Sequence, residues 1–314
     1  MRNHSTLLFF IFLLAFTSCI ETEREKAQKE LEKGNEAYRS GNYNKAHEHY
    51  DEAISIDSKF ADAFNNRGLT RFKQERYSAA VSDYGRAILL NPDFIDPYFN
   101  RANAYVKLRL FEKSLDDLRV VQEIRPDTSS VHLLKGIVKY NQKYFRGALQ
   151  DLDKAEELDR YNPEVFTNKA AIYYNLSIYD SAEMYINQSL TLDSTEAHTY
   201  NVQGLIYTDE KKYDEALKSF NKALELSPKH PFFLNNKGFV YLEQSELEKG
   251  KDLIDESLEL NPDNPWGLRN SGIYYYKKGD LEKAKKLLEE SLYFEPDIKL
   301  SKQYLEGIKK AETN

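Results

Sequence analysis

Apolar positions along this chain keep a period of 34 residues from one end of its body to the other. Gly34, Gly68, Ala102, Gly136, Ala170, Gly204, Gly238 and Gly272 mark one register of small residues. Ala46 opens a second register, twelve residues later, and Ala53 a third; both hold mostly Ala, Ser or Gly in every later period. Tyr43, Tyr77, Phe111, Phe145, Tyr179, Tyr213, Leu247 and Leu281 keep the same phase with large side chains. Within a period, positions 4, 8 and 11 share one side of a helix and positions 2, 5, 6, 9, 12 and 13 the opposite side, so each period predicts a pair of amphipathic helices. Proline then closes the second helix, as at Pro92 and Pro228, because it has no backbone donor and clashes with the preceding turn. Eight periods fit without a gap: 27–60, 61–94, 95–128, 129–162, 163–196, 197–230, 231–264 and 265–298. Beyond them Leu300, Tyr304, Leu305 and Ile308 recur at helical spacing in residues 299–314, which predicts a helix covering the last exposed face.

A unit such as AFNNRGLTRFKQERYSAAVSDYGRAILLNPD, residues 63–93, resembles the tetratricopeptide repeat. The resemblance implies an all-α solenoid, a right-handed superhelix of eight helix-turn-helix units with a C-terminal capping helix. Repeat 4 departs from the pattern, with Arg160 in place of the closing proline and Lys139 in place of a first-helix aromatic, and repeat 1 carries Glu30 where an early aromatic is usual.

In this family the first helices of successive repeats line a concave surface, which implies a groove for a peptide or protein partner. Position 6 reads Asn66, Asn100, Asn168, Asn236 and Asn270 in five of the eight repeats. Asparagine is a mediocre helix former, so its recurrence in one register calls for a reason. One reason is recognition of a partner's backbone, since each amide offers one acceptor and two donors. The other is bonding between neighbouring repeats. Asn103 joins the candidate groove set, with Phe72, Tyr140, Tyr174 and Tyr276 at position 12 supplying apolar area beside the amides. Some of those rings are equally suited to packing against neighbouring helices. Chaperone adaptors of this family hold a terminal carboxylate with a clamp of cations and asparagines; Asn35 and Asn66 fit it, but Leu31, Asp96 and Asn100 stand where its cations belong, so that clamp is absent.

Composition narrows the chemistry further. The 44 basic and 51 acidic residues give a net charge of -7 with no basic block, which argues against nucleic acid as a partner. No phosphate loop, nucleophile elbow or zinc-protease motif occurs. His47 and His49 lie two residues apart and point to different sides of a helix, a poor metal pair. Because the repeats fill the chain, the expectation is a protein that is not an enzyme and takes no cofactor, metal or small-molecule substrate.

The N-terminus sets location. Residues 7–16 are an almost unbroken apolar run, too short to span a bilayer, and they follow one arginine near Met1. Phe16-Thr17-Ser18-Cys19 comes next and contains the only cysteine of the chain. It resembles a bacterial lipobox, although Phe16 stands where leucine is most common. The resemblance implies a signal peptide at 1–18, lipidation of Cys19 and a tether at 19–26 holding the protein to the membrane of the bacterial envelope, at the outer membrane. An ordinary secretory signal with an incidental cysteine is the alternative reading of the same residues. The functional expectation is a membrane-anchored scaffold that binds envelope proteins or peptides, similar to bacterial tetratricopeptide lipoproteins. A soluble cytosolic co-chaperone or adaptor is the alternative if the N-terminal segment is not a cleaved signal.

Overall fold

The computed structural model describes residues 21–312. Among them there are seventeen helices and no strand. In chain order they are α1 (Glu23–Arg39), α2 (Tyr43–Ile56), α3 (Ala61–Lys73), α4 (Tyr77–Leu90), α5 (Asp96–Lys107), α6 (Phe111–Ile124), α7 (Ser129–Asn141), α8 (Phe145–Leu158), α9 (Pro163–Asn175), α10 (Tyr179–Leu192), α11 (Ala197–Asp209), α12 (Tyr213–Leu226), α13 (Pro231–Glu243), α14 (Leu247–Leu260), α15 (Pro265–Lys278), α16 (Leu281–Phe294) and α17 (Lys299–Glu312). Odd-numbered helices up to α15 are the first helix of a repeat, called A below, and even-numbered ones the second, called B. The described residues form two compact bodies, one up to Asp151 and one from Leu152, and the division falls inside α8.

The helix ends follow from local chemistry. Thr22 and Glu25 form a reciprocal capping box that starts α1, with the Thr22 oxygen accepting from the Glu25 amide and the Glu25 carboxylate accepting from Thr22. Helix therefore begins at Glu23, and residues 23–26 of the expected tether are helical. The residues expected to form the signal and to carry the lipid, Cys19 included, lie outside the described residues. Asn162 and Asn264 cap α9 and α15, each followed by a proline at the first turn, where its missing donor costs nothing.

Every A-to-B turn passes through one residue with positive φ, at Gly41, Glu75, Arg109, Lys143, Ser177, Lys211, Ser245 and Gly279. Only the first and last of these are glycine, so six side chains sit in a left-handed conformation that L-residues disfavour.

Inside each pair the three registers of small residues are buried in every repeat, as the period implied. What they pack against is a register the sequence reading passed over: Tyr50, Tyr84, Leu118, Leu152, Ile186, Phe220, Ile254 and Leu288, each at most 1% exposed. In the seven repeats that lie wholly within one body, these B-helix side chains press on the small residue of the A helix. A Cβ on Gly34 would stand 2.5 Å from the Tyr50 ring, one on Gly68 2.6 Å from Tyr84 and one on Gly204 2.7 Å from Phe220, all shorter than any real contact. Glycine is thus required by the large partner, and burial of each such side chain contributes about 1.5–3 kcal/mol. At the C-terminus α17 lays Leu300, Tyr304, Leu305 and the buried Ile308 on Ile273, Tyr274, Ala284 and Leu288, the cover expected of a capping helix. Ser291 and Ser301 share a hydrogen bond of 2.7 Å beneath it.

Candidate functional site

Four of the five position-6 asparagines are hydrogen-bonded to asparagines of other registers. In the N-terminal body Asn100 Nδ2 donates to Asn65 Oδ1 at 3.0 Å, Asn65 Nδ2 to Asn66 Oδ1 at 3.2 Å, and Asn66 Nδ2 to Asn35 Oδ1 at 2.9 Å. The Tyr50 hydroxyl donates to the same Asn35 oxygen at 2.8 Å. The C-terminal body repeats the arrangement: Asn270 donates to Asn235 at 2.8 Å, Asn235 to Asn236 at 3.3 Å, and Asn236 to Asn201 at 2.8 Å. Each body therefore carries a relay of four amides running across three repeats. Asn235 and Asn270 have no exposed surface, and a buried amide left unpaired would be costly, so the relay ties A helix to A helix. Asn103 and Asn168 stand outside it. Their amides donate to Phe99 O at 3.0 Å and Glu164 O at 2.8 Å, one turn back on their own helices.

The position-12 rings are half-buried and pack across the turn. Tyr38 meets Tyr43 with centroids 5.5 Å apart, Phe72 meets Tyr77 at 5.2 Å, Tyr140 meets Phe145 at 6.1 Å and Tyr174 meets Tyr179 at 6.3 Å. Tyr276 instead packs edge-on against Tyr304 of α17 at 4.9 Å. Burial, with Asp209 nearby, holds the Tyr174 hydroxyl well above its ordinary pKa, so it is neutral at any physiological pH.

A hollow of about 340 Å³ opens on that face of the N-terminal body. Asn35, Tyr38, Arg39, Tyr50, Asn66 and Leu69 line it, combining amide, aromatic, cationic and aliphatic groups. Of the candidate groove residues only Asn66 belongs to its wall. The C-terminal body has a smaller hollow of about 90 Å³ between α10 and α11, lined by Glu183, Ile186, Asn187, Gln203, Ile206 and Tyr207.

Charge is organised in a register that the sequence reading missed. Arg67 grips Asp83 through two bonds of 3.1 and 2.6 Å and reaches Asp51 at 2.6 Å, and Arg71 adds a bond to Asp83 at 2.7 Å. Arg101 grips Asp117 through two bonds of 2.8 Å, and Lys135 faces Asp151 at 3.7 Å. The recurring separation of sixteen residues, from an A helix to its B partner, was the available signal. Lys169, almost fully buried, is held by Asp153 and Glu156.

Arg269 is treated differently: Nε donates to Asn270 Oδ1 at 2.8 Å and the guanidinium lies 5.1 Å from the Phe239 centroid, with no ion pair among the described residues. Burial lowers its pKa to about 10, against the opposing influence of Tyr174, Asp209, Tyr304 and Glu243. His47 and His49 have separate partners, Asp51 at 3.2 Å and Glu30 at 2.8 Å. No group of three or more His, Cys, Asp or Glu among the described residues is placed to hold a metal ion.

Comparison with known proteins agrees with this geometry. A family model described as TPR repeat matches residues 34–75, 68–108 and 204–245, and one described as tetratricopeptide repeat matches residues 270–298. The chain carries tetratricopeptide repeats. Among solved structures it is similar to a tetratricopeptide repeat protein from Parabacteroides merdae, with TM-score 0.63 and 19% identity over 85% of this chain and 98% of that one. Yeast Tom70 matches with TM-score 0.57 and 19% identity over 94% of this chain and 66% of its own. Pseudomonas aeruginosa pilF matches with TM-score 0.50 and 19% identity over 67% of this chain and 96% of its own. At such identities these structures speak to the fold alone. No curated protein matches the sequence.

Proposed function

We propose that this protein is an adaptor whose tetratricopeptide repeats hold a peptide or protein partner on the A-helix face. The observation that carries the reading is the hollow lined by Asn35, Tyr38, Arg39 and Leu69, which sets polar and apolar groups side by side on a rigid helical frame. The asparagine relays support that frame and leave recognition mainly to what stands around them. Asn35 is where the two roles meet, because its oxygen is used by Asn66 and Tyr50 while its amide hydrogens have no partner among the described residues.

Partner capture by the purified chain tests the reading. Arg39→Glu with Leu69→Glu should lose the partner while keeping the helical spectrum, whereas Lys218→Ala with Lys222→Ala on a B helix should keep it. Capture that survives the first pair and fails with the second would transfer function to the B-helix face.

The soluble form of this adaptor needs nothing beyond the repeats. No helix among the described residues is long and apolar enough to cross a membrane, so the membrane-held form, at the bacterial envelope, rests on lipidation of Cys19. Detergent phase separation of the full chain distinguishes the two. Equal partition of wild type and Cys19→Ser into water supports the soluble adaptor, and a detergent-phase wild type with a water-phase variant supports the anchored one.

A further inference from the structure

Asn201, Asn235 and Arg269 occupy one register in three successive repeats. The first two each accept an amide hydrogen from the asparagine 35 residues further on. At Arg269 the relay ends, for the residue 35 further on is Tyr304, whose ring is turned against Tyr276. The guanidinium therefore has its Nε committed to Asn270 and one face over Phe239, while both Nη groups make no hydrogen bond or ion pair among the described residues. The acidic groups nearest in electrostatic terms are occupied elsewhere: Asp209 accepts from the Tyr179 hydroxyl at 3.0 Å and Glu243 from Lys277 Nζ at 3.2 Å. Arg67, Arg71 and Arg101, on A helices of the N-terminal body, all have a carboxylate within 2.6–2.8 Å.

A half-buried cation without a counter-ion has lost part of its hydration, and one hydrogen bond and one ring contact offset that loss only in part. Its depressed pKa expresses the same deficit, and near neutral pH it is still charged. We propose that Arg269 receives a side-chain carboxylate of an acidic peptide lying on the A-helix face of the C-terminal body. The inference rests on the adaptor reading and names the chemistry of its partner. A carboxylate fits the two open Nη groups in the paired geometry that guanidinium favours. A phosphate would bring nearly twice the charge, and the neighbouring Lys277 is already held by Leu242 O at 2.7 Å and by Glu243.

The test uses the full chain and a fluorescein-labelled glutamate oligomer of about ten residues, long enough to lie along a groove, beside a glutamine oligomer of equal length. Anisotropy should rise with the glutamate peptide and not with the glutamine one. Arg269→Gln should weaken binding by about tenfold, and Arg86→Gln, an exposed arginine of the other body, should leave it unchanged. The melting temperature of Arg269→Gln should equal or exceed that of wild type, because an uncompensated charge has been removed. A wild type that binds neither peptide or both alike overturns the proposal, as does an Arg269→Gln variant that binds normally or binds weakly only because it has lost stability. If Arg269→Gln binds glutamate normally while Arg39→Glu with Leu69→Glu still loses the captured partner, the carboxylate receptor falls and the adaptor reading stands.

Discussion

Two neighbouring glycines show how far a single residue's role depends on what its missing Cβ would meet. At Gly68 the Tyr84 ring stands 2.6 Å away, whereas at Gly85, inside α4, the first atom is Arg101 Nη1 at 3.5 Å, an ordinary contact. Gly68→Ala should therefore cost about 1–3 kcal/mol through overpacking, while Gly85→Ala should gain about 0.5–1 kcal/mol by stiffening the unfolded chain. Urea unfolding of the two variants should move the midpoint in opposite directions; a common direction would contradict the packing described.

His47 supplies a second case. Burial, helped by Arg71, Arg67 and Arg76 and opposed by Asp51, holds its pKa below the ordinary 6.5. The unfolded chain thus takes up a proton that the folded chain resists, so stability is lost as pH falls from above about 6.5 into the depressed range. His47→Gln should lose less than wild type between about pH 7.5 and about pH 5.5, read from urea midpoints at fixed salt. An equal loss would place the pH sensitivity elsewhere.

At the scale of the helix pair, the turn is where local preference and fold disagree. The left-handed residue costs about 1–2 kcal/mol when it carries a side chain, against about 0.5–1 kcal/mol of extra unfolded entropy for glycine. Glu75→Gly, Lys211→Gly and Ser245→Gly should each raise stability by up to about 1 kcal/mol, and the triple variant should melt several degrees higher. Gly41→Ala should do the reverse, at a φ of +77° with no neighbour near its Cβ to blame. A thermal melt showing Glu75→Gly less stable than wild type would mean that the Glu75 side chain contributes more than its backbone strain costs. The pairs in which the carboxylate follows the cation by sixteen residues, Arg67–Asp83 and Arg101–Asp117, belong to this scale too, since they join an A helix to its own B helix.

Over the whole molecule, stability is set by each repeat and its immediate neighbours. Removing residues 299–314 would uncover Leu288, Tyr276 and the cluster around Ile273. Amide exchange should then quicken in α15 and α16 while α3 and α4 keep their protection. Loss spread evenly along the chain would show a single cooperative unit instead, and no loss in α16 would deny α17 its role as a cap.

The 34-residue period was enough to define eight helix pairs, their buried small residues and the terminal cap, because those features follow from where apolar and small side chains fall on a helix of fixed pitch. The fate of the asparagines was not readable in the same way. Asn66 and Asn168 share a register, yet one bonds to the preceding repeat and the other to its own helix, since the outcome depends on what stands on the adjacent A helix. The B-helix register of Tyr50 and Tyr84 changes residue type from tyrosine to leucine and isoleucine, so its constancy shows only as burial. Arg269 makes the same point for charge. Whether a guanidinium finds a carboxylate is decided by side chains brought near it from other repeats, and that proximity exists only once the helices have packed.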